Sequence, residues 1–101
     1  MIEENKLKLD KWKLLSNELK VAIEIQQIEQ DGGIPYFSAI AQNLEHRGMK
    51  KTAIHRALNH LVDLGNIDAK WERAEKSWVR RFFLIGENKE YIRELNAMLH
   101  E

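Results

Sequence analysis

The sequence has 101 residues, 44% of them hydrophobic and 32% charged, which is enough for one domain with a modest core. It contains no cysteine, which excludes disulfides, thiolate metal sites and thiol nucleophiles. The formal net charge is zero, so a protein that binds polyanions over its whole surface is not expected.

The N-terminal segment, residues 1–15, alternates charged and apolar residues, and we predict either an extended arm or a helix. Trp12 and Leu15 continue the apolar spacing of the next segment, which favours one continuous helix. Ser16 is a residue type that caps helices, so a separate helix starting there is the alternative. No basic region leads into an apolar block, and no apolar run reaches membrane-spanning length. We therefore expect a cytoplasmic protein without membrane contact.

Three elements are predicted next. Residues 16–30 have helical apolar spacing and are followed by a turn sequence at 31–33. The single proline favours extended backbone and cannot donate to a sheet, so residues 34–36 are predicted as a very short edge strand. Residues 37–44 predict a short helix with one apolar face, and residues 45–48 predict a turn.

The following helix, predicted from about Lys50 to Leu64, has the most informative pattern. Its apolar residues form one stripe at Ile54, Ala57, Leu58, Leu61 and Leu64. The opposite face is polar and carries Thr52, His55, Arg56, Asn59 and Asp63. Gly65 can supply the left-handed conformation that ends a helix. Such a helix can lie in a DNA major groove, although an ordinary amphipathic helix with a solvated polar face has the same pattern.

After this helix the apolar spacing becomes alternating, which predicts a β-hairpin over residues 67–85 with residues 74–76 at its tip. Gly86 and the two residues after it end the second strand. A last helix is predicted at 89–100, within a C-terminal segment 87–101. Its apolar stripe consists of Tyr91, Ile92, Leu95, Met98 and Leu99.

The predicted order is helix, short strand, helix, helix, two-stranded hairpin and helix. Two short helices joined by a tight turn and followed by a hairpin pack as a winged helix-turn-helix. We therefore predict a mainly α chain with a small β-hairpin, in the α+β class. It forms a single winged helix-turn-helix domain over residues 1–101, with extra terminal helices.

Residues 52–67, TAIHRALNHLVDLGNI, resemble the recognition-helix pattern of bacterial and archaeal winged-helix regulators. Residues 36–41 resemble the start of the first helix of their helix-turn-helix. Residues 80–85, RRFFLI, resemble the second wing strand of MarR-like and PadR-like proteins. The resemblance covers roughly residues 19–99 and implies a prokaryotic, dimeric transcriptional regulator that binds double-stranded DNA. Residues 48–50 depart from the pattern, since these families have a small hydroxyl residue there as the helix cap.

Charge is segregated along the chain, with nine basic and four acidic residues in the segment 47–86. A local basic surface suits phosphate contact even when the whole domain is neutral. We expect the helix 50–64 in the major groove and the wing 67–85 on the backbone or in the minor groove. The expected DNA-binding residues are Lys50, Lys51, Thr52, His55, Arg56, Asn59, Arg73, Lys76 and Arg80. Arg56 to guanine and Asn59 to adenine are the bidentate pairings of most interest.

The hairpin carries two arginines and two tryptophans whose roles differ. Arg80 and Arg81 point to opposite sides of one strand, so we expect one to face DNA and the other to pair with an acidic residue. We predict that Trp71 and Trp78 pack against the core, because aromatic side chains bury large areas. Stacking of these tryptophans on a sugar or base is the alternative.

Both ends of the chain carry apolar stripes beside a small core. We predict that they pair with a second copy, through an interface formed by Leu7, Trp12, Leu15, Tyr91, Ile92, Leu95, Met98 and Leu99. The alternative is that both ends pack on their own domain. A two-fold dimer would place two recognition helices one DNA turn apart.

Nothing in the sequence indicates an enzyme, since no Gly-rich phosphate loop, HExxH or paired-carboxylate motif occurs. The four histidines are scattered, so neither a metal nor another cofactor is predicted, and no small-molecule effector is identified. The competing hypothesis is a winged-helix protein-interaction module of a transcription or replication assembly. Interruption of the basic surface by Glu72, Glu75 or Asp63 would favour that module.

Overall fold

The computed structural model describes residues 11–99. Its elements are a 3-10 helix at Lys11–Leu14, α1 at Asn17–Gln30, α2 at Phe37–His46, α3 at Lys51–Asp63, β1 at Ile67–Ala74, β2 at Ser77–Leu84 and α4 at Glu87–Leu99. The prediction of a mainly helical α+β chain with an antiparallel hairpin is confirmed. Residues 1–10, 100 and 101, among them Leu7 of the predicted interface, lie outside the described residues.

α1 begins as a separate helix because Ser16 caps it. The Ser16 Oγ accepts a hydrogen bond from the Leu19 backbone N–H at 3.2 Å. The preceding 3-10 helix ends at Leu14, so the predicted continuous helix through Trp12 and Leu15 is wrong. The alternative start at Ser16 is confirmed, because the hydroxyl bonds a first-turn donor that a continuous helix would have bonded itself.

α1 lies at the centre of the fold and packs against α2, α3, β2 and α4. The largest fully buried side chains include Val21, Ile25, Ile40, Leu44, Ile54, Leu58, Ile67 and Phe82. Glu24 of α1 is also buried, and its carboxylate accepts a hydrogen bond from the Asn43 side chain of α2 at 3.0 Å. α1 therefore fixes the helix pair α2–α3 by both apolar and polar contacts.

A tight turn joins α2 to α3. Gly48 has a φ of +97°, which residues with a Cβ rarely adopt, and the Met49 N–H donates to the Leu44 carbonyl at 3.0 Å. Met49 is buried and anchors the turn in the core. Lys50 then occupies the N-cap of α3 without a side-chain capping bond. The first-turn N–H groups of α3 are therefore not covered by a cap side chain.

The hairpin has a regular antiparallel register, which pairs Ile67 with Leu84, Ala69 with Phe82, Trp71 with Arg80 and Arg73 with Trp78. Directly paired residues share a face, so these eight form the inner face of the hairpin. The loop contains only Glu75 and Lys76, because Ala74 is still paired with Ser77. The tip is therefore shorter than predicted.

The predicted short strand at 34–36 is reduced to one bridge. Tyr36 pairs antiparallel with Arg81, and the Phe82 N–H donates to the Pro35 carbonyl at 3.0 Å. The proline has no N–H for the sheet, so the pairing does not extend. This bridge attaches the start of α2 to the second strand of the hairpin.

α4 docks on α1 through a buried polar contact as well as an apolar one. Ile92 is 5% exposed and Asn96 is 3% exposed. The Asn96 side-chain nitrogen donates to Oε1 of Gln26 at 2.6 Å and to Oε1 of Gln27 at 2.9 Å. Since these amides bond one another, the burial of polar groups along this contact is compensated.

Candidate functional site

The polar face of α3 is open to solvent. Lys51, Thr52, His55, Arg56 and Asn59 are exposed, whereas the other side of the helix is buried at Ile54, Ala57, Leu58 and Leu61. Leu64 does not belong to the buried stripe, because the helix ends at Asp63 and Leu64 is 60% exposed. The structure therefore brings five of the predicted DNA-binding residues onto one exposed helix surface.

His55 is held against the start of α2. Its ring stacks on the Phe37 ring with 4.3 Å between centroids and 23° between planes. One face of the imidazole is thus covered, while its edge stays exposed on α3. Phe37 is half-buried, packs against the core and also supports this exposed histidine.

Two tryptophans and two arginines lie on the inner face of the hairpin, in the half toward its tip. We call these four residues the Trp–Arg face: Trp71, Arg73, Trp78 and Arg80. The Arg80 guanidinium lies 5.9 Å from the centre of the Trp71 ring, and the Arg73 guanidinium lies 5.8 Å from that of Trp78. Both contacts are within cation–π range. Arg80 also lies 5.1 Å from the ring of Phe82, which links this face to the core.

The prediction that both tryptophans pack against the core is wrong. Trp71 is 63% exposed and Trp78 is 60% exposed. The core ends at Phe82, and the hairpin continues for two more inward-facing pairs beyond it. The pairing across the strands could have indicated this exposure, because each tryptophan lies opposite an arginine rather than opposite another apolar residue.

A cleft of about 320 Å³ lies between α3 and the Trp–Arg face. We call it the α3–hairpin cleft, and its side chains include Phe37, Ser38, His55, Asn59, Trp71, Trp78 and Arg80. Ring faces therefore occur beside an amide, an imidazole, a hydroxyl and a guanidinium. Phe37 and Ser38 were not predicted as site residues, because nothing local in the sequence places the start of α2 beside the hairpin.

The outer face of the hairpin contains a separate charged cluster. Arg81 donates to Oε1 of Glu72 at 3.3 Å, and the Tyr36 hydroxyl donates to Oε2 of Glu72 at 3.1 Å. Partial burial, together with the hydrogen bond and charge of Glu72, raises the pKa of the Tyr36 phenol. The prediction that Arg80 and Arg81 face opposite sides of the strand and that one of them pairs with an acid is confirmed, and the paired residue is Arg81. Glu72 therefore does not interrupt the Trp–Arg face.

The other predicted DNA-binding residues lie at the start of α3 and at the hairpin tip. Lys50 is exposed at the N-cap, and Lys76 is exposed in the loop. The Arg73 Nε donates to the Glu75 carbonyl at 3.4 Å. Glu75 lies beside Lys76, and Asp63 lies at the opposite end of α3 from Lys50. Asp63 therefore lies away from the lysines at the start of α3, whereas Glu75 lies between two of the cations, Arg73 and Lys76, at the hairpin tip.

Most of the residues predicted for a second copy pack on their own chain. Ile92 is buried in the core, and the prediction that it faces a partner is wrong because α1 already covers it. Four others are partly buried against the same core: Trp12, Leu15, Leu95 and Leu99. Tyr91 and Met98 are exposed at 58% and 56%.

Two cationic side chains also cover the Trp12 ring. The Arg47 guanidinium lies 4.2 Å from the centre of the Trp12 ring, and the Lys20 amine lies 5.9 Å from it. These contacts anchor the 3-10 helix on the domain. Among the described residues of the predicted second-copy interface, Tyr91 and Met98 of α4 have the most exposed side chains.

Comparison with known proteins gives no match. No protein-family model, no curated protein and no solved structure matches the chain. Within residues 11–99, no helix has both the length and the apolar character that crossing a membrane requires. The same residues contain no group of three or more histidine, cysteine, aspartate or glutamate side chains placed to hold a metal ion.

Proposed function

We infer that this protein is a winged helix-turn-helix that binds double-stranded DNA as a transcriptional regulator in the cytoplasm. α3 is the recognition helix in the major groove, and the hairpin is the wing. The order α1, bridge at Tyr36, α2, α3, β1, β2, α4 agrees with this fold. The observation that carries the proposal is the exposed polar face of α3 directly beside the Trp–Arg face.

We assign recognition of the DNA sequence to the exposed polar side chains of α3. Arg56 can donate two hydrogen bonds to guanine, and Asn59 can bond adenine through its amide. Thr52 lies one turn before Arg56 and reaches a base edge or a thymine methyl. His55 contributes through its exposed edge, since Phe37 covers one ring face.

Phosphate contacts are assigned to the start of α3 and to the hairpin tip. Lys50 and Lys51 lie where the helix N–H groups have no capping side chain, which also favours an anion. Arg73 and Lys76 lie along the wing. Such contacts position the duplex without reading its sequence.

We extend the proposal to a homodimer, with Tyr91 and Met98 of α4 facing the partner. Both side chains are more than half exposed on a helix that is otherwise docked on α1. Two copies related by a two-fold axis would place both α3 helices on successive turns of one duplex.

The test is fluorescence anisotropy with a random-sequence duplex over a salt titration. Four phosphate contacts in each protomer, from Lys50, Lys51, Arg73 and Lys76, make eight in the dimer and predict a log–log slope of about −7. Lys51→Ala/Lys76→Ala removes four of the eight and should reduce the slope to about −4. Lys70→Ala/Lys89→Ala is the matched control, because both lysines are exposed away from the proposed surface. An equal change in both variants, or no binding at low salt, would refute the proposal.

A protein-interaction module is the second candidate. Its supporting observations are the zero net charge and the exposure of Trp71 and Trp78, since tryptophan is enriched at protein interfaces. In this alternative the basic side chains of α3 are only a solvated face. Absence of DNA binding at low salt, with the fold intact by circular dichroism, would select this candidate.

A further inference from the structure

The α3–hairpin cleft has features that would remain unused if the protein bound only perfectly paired DNA. Paired bases present only their edges in the grooves, because their ring faces are stacked inside the helix. Trp71 and Trp78 nevertheless expose 63% and 60% of their surface beside α3. An aromatic face of this kind is suited to stack on the face of a base that has left the duplex.

The polar groups of the cleft match the edge of a base. Ser38 offers a hydroxyl and Arg80 offers guanidinium donors, and the proposed function assigns neither of them to base reading in the major groove. His55 is held in place by its stacking on Phe37. The volume of about 320 Å³ lies at the small end of ligand sites and suits one planar group rather than a peptide.

Charge around the cleft indicates that the planar group belongs to a nucleic acid strand. Arg80 lines the cleft, and Arg73 lies further out on the same face of the hairpin. Lys76 lies at the hairpin tip, and Lys51 lies one turn before His55 on α3. A free nucleotide has phosphate on one side of its base only, whereas a strand places phosphates on both sides. Cations on two separate elements therefore favour a base within a strand.

We propose that the α3–hairpin cleft binds one unpaired nucleobase of a bound DNA strand, stacked on Trp71 or Trp78. This rests on the proposed function, because the strand that separates the groove of α3 from the groove of the wing would pass over the mouth of the cleft. The protein then prefers a duplex that contains an unpaired base to a perfectly paired one. Extrusion of a base costs least where the base is already unpaired.

The test compares three DNAs by anisotropy at one salt concentration. They share a sequence and are a blunt duplex, the duplex with one bulged adenine, and the duplex with an abasic bulge. The abasic bulge has the same flexibility but no base to stack. We expect the bulged adenine to bind at least about fivefold more tightly than the abasic bulge.

Variants assign this preference to the cleft. Trp71→Ala/Trp78→Ala should abolish the difference between the bulged and abasic DNAs, while its affinity for the blunt duplex falls less than about threefold. Leu14→Ala is the control, because Leu14 is a large apolar side chain that is 86% exposed and lies outside both the cleft and the proposed dimer interface, so this variant should keep the preference. Circular dichroism verifies that each variant is folded.

The outcomes separate the two proposals. Equal binding of the bulged and abasic DNAs, with salt-dependent binding of the blunt duplex, overturns the base site and leaves the proposed function intact. No binding of any of the DNAs overturns both. In the Trp12→Phe variant, fluorescence reports only Trp71 and Trp78, and saturable quenching by micromolar free dAMP would overturn the assignment to a strand.

Discussion

The inner face of the hairpin has two halves with similar alternation and opposite environments. At its base, Ile67 and Phe82 are each 1% exposed. At its outer end, Trp71 and Trp78 are at least 60% exposed although they lie on the same face. Alternation therefore decides the face to which a side chain belongs, whereas the helices beneath decide whether that face is covered. The exposed half is the part of the hairpin that is available to a partner.

The largest expected difference between the halves is in stability. Phe82→Ala should reduce the free energy of unfolding by about 3–5 kcal/mol, because it leaves a cavity in the core. Trp71→Ala should change the free energy of unfolding by only about 0.5 kcal/mol, because more than half of the Trp71 surface is already in water. Urea unfolding followed by far-ultraviolet circular dichroism measures both. Equal losses in the two variants would show that the halves do not differ in this way.

A smaller effect is expected where the two halves meet, at the outer-face pair Glu72–Arg81. Glu72→Gln should destabilise the protein by about 0.5–1 kcal/mol, because Arg81 loses its charged partner at a half-exposed position. Amide hydrogen exchange should quicken in the outer half of the hairpin and stay unchanged in its base. Glu75→Gln in the loop is the control. Faster exchange throughout the hairpin would mean that the two halves open together.

The bridge residue Tyr36 predicts a dependence on alkaline pH. Its raised pKa means that the unfolded chain loses the phenol proton first, so its contribution to stability is complete below about pH 10. That contribution is lost as the pH rises toward the folded-state pKa. The stability difference between the wild type and Tyr36→Phe should therefore fall as the pH rises above about 10, in urea titrations at each pH. A difference that stays constant above that pH would contradict this expectation.

The smallest effect is expected at Glu90–Arg93, an exposed pair on α4 that serves as a counterpart to Glu72–Arg81. The Arg93 side chain, through its hydrogen bond and its charge, lowers the pKa of Glu90. The stabilisation is therefore present above the ordinary glutamate pKa of about 4.3 and is lost as the pH falls below it. Thermal midpoints of the wild type and Arg93→Ala should differ slightly at pH 7 and converge by pH 3. A gap that persists at pH 3 would contradict this.

Much of the fold follows from local signals in the sequence. The apolar spacing of α3, the Ser16 cap and the change from helical to alternating spacing near Gly65 each depend on residues that are close in the chain. Local patterns of this kind decide which backbone hydrogen bonds form. The opposite orientations of Arg80 and Arg81 follow in the same way from the two-residue repeat of a strand.

The rest depends on contacts between residues far apart in the chain. The apolar stripe of α4 was predicted, but the prediction that Ile92 in this stripe faces a second copy was wrong, because α1 and a second copy would both accept the stripe. Burial of Asn96 against Gln26 across 70 residues has no signature in either segment. The α3–hairpin cleft likewise needs Phe37 beside the hairpin, which only the bridge at Tyr36 achieves.

The amide contact of Asn96 has a consequence for the outward surface of α4. An apolar stripe alone tolerates sliding along its groove, whereas a buried amide that is displaced by one residue loses its partners. Asn96 therefore fixes the register of α4 on α1. Because this register is fixed, Tyr91 and Met98, whose spacing is set by α4 itself, also take one position relative to the rest of the domain.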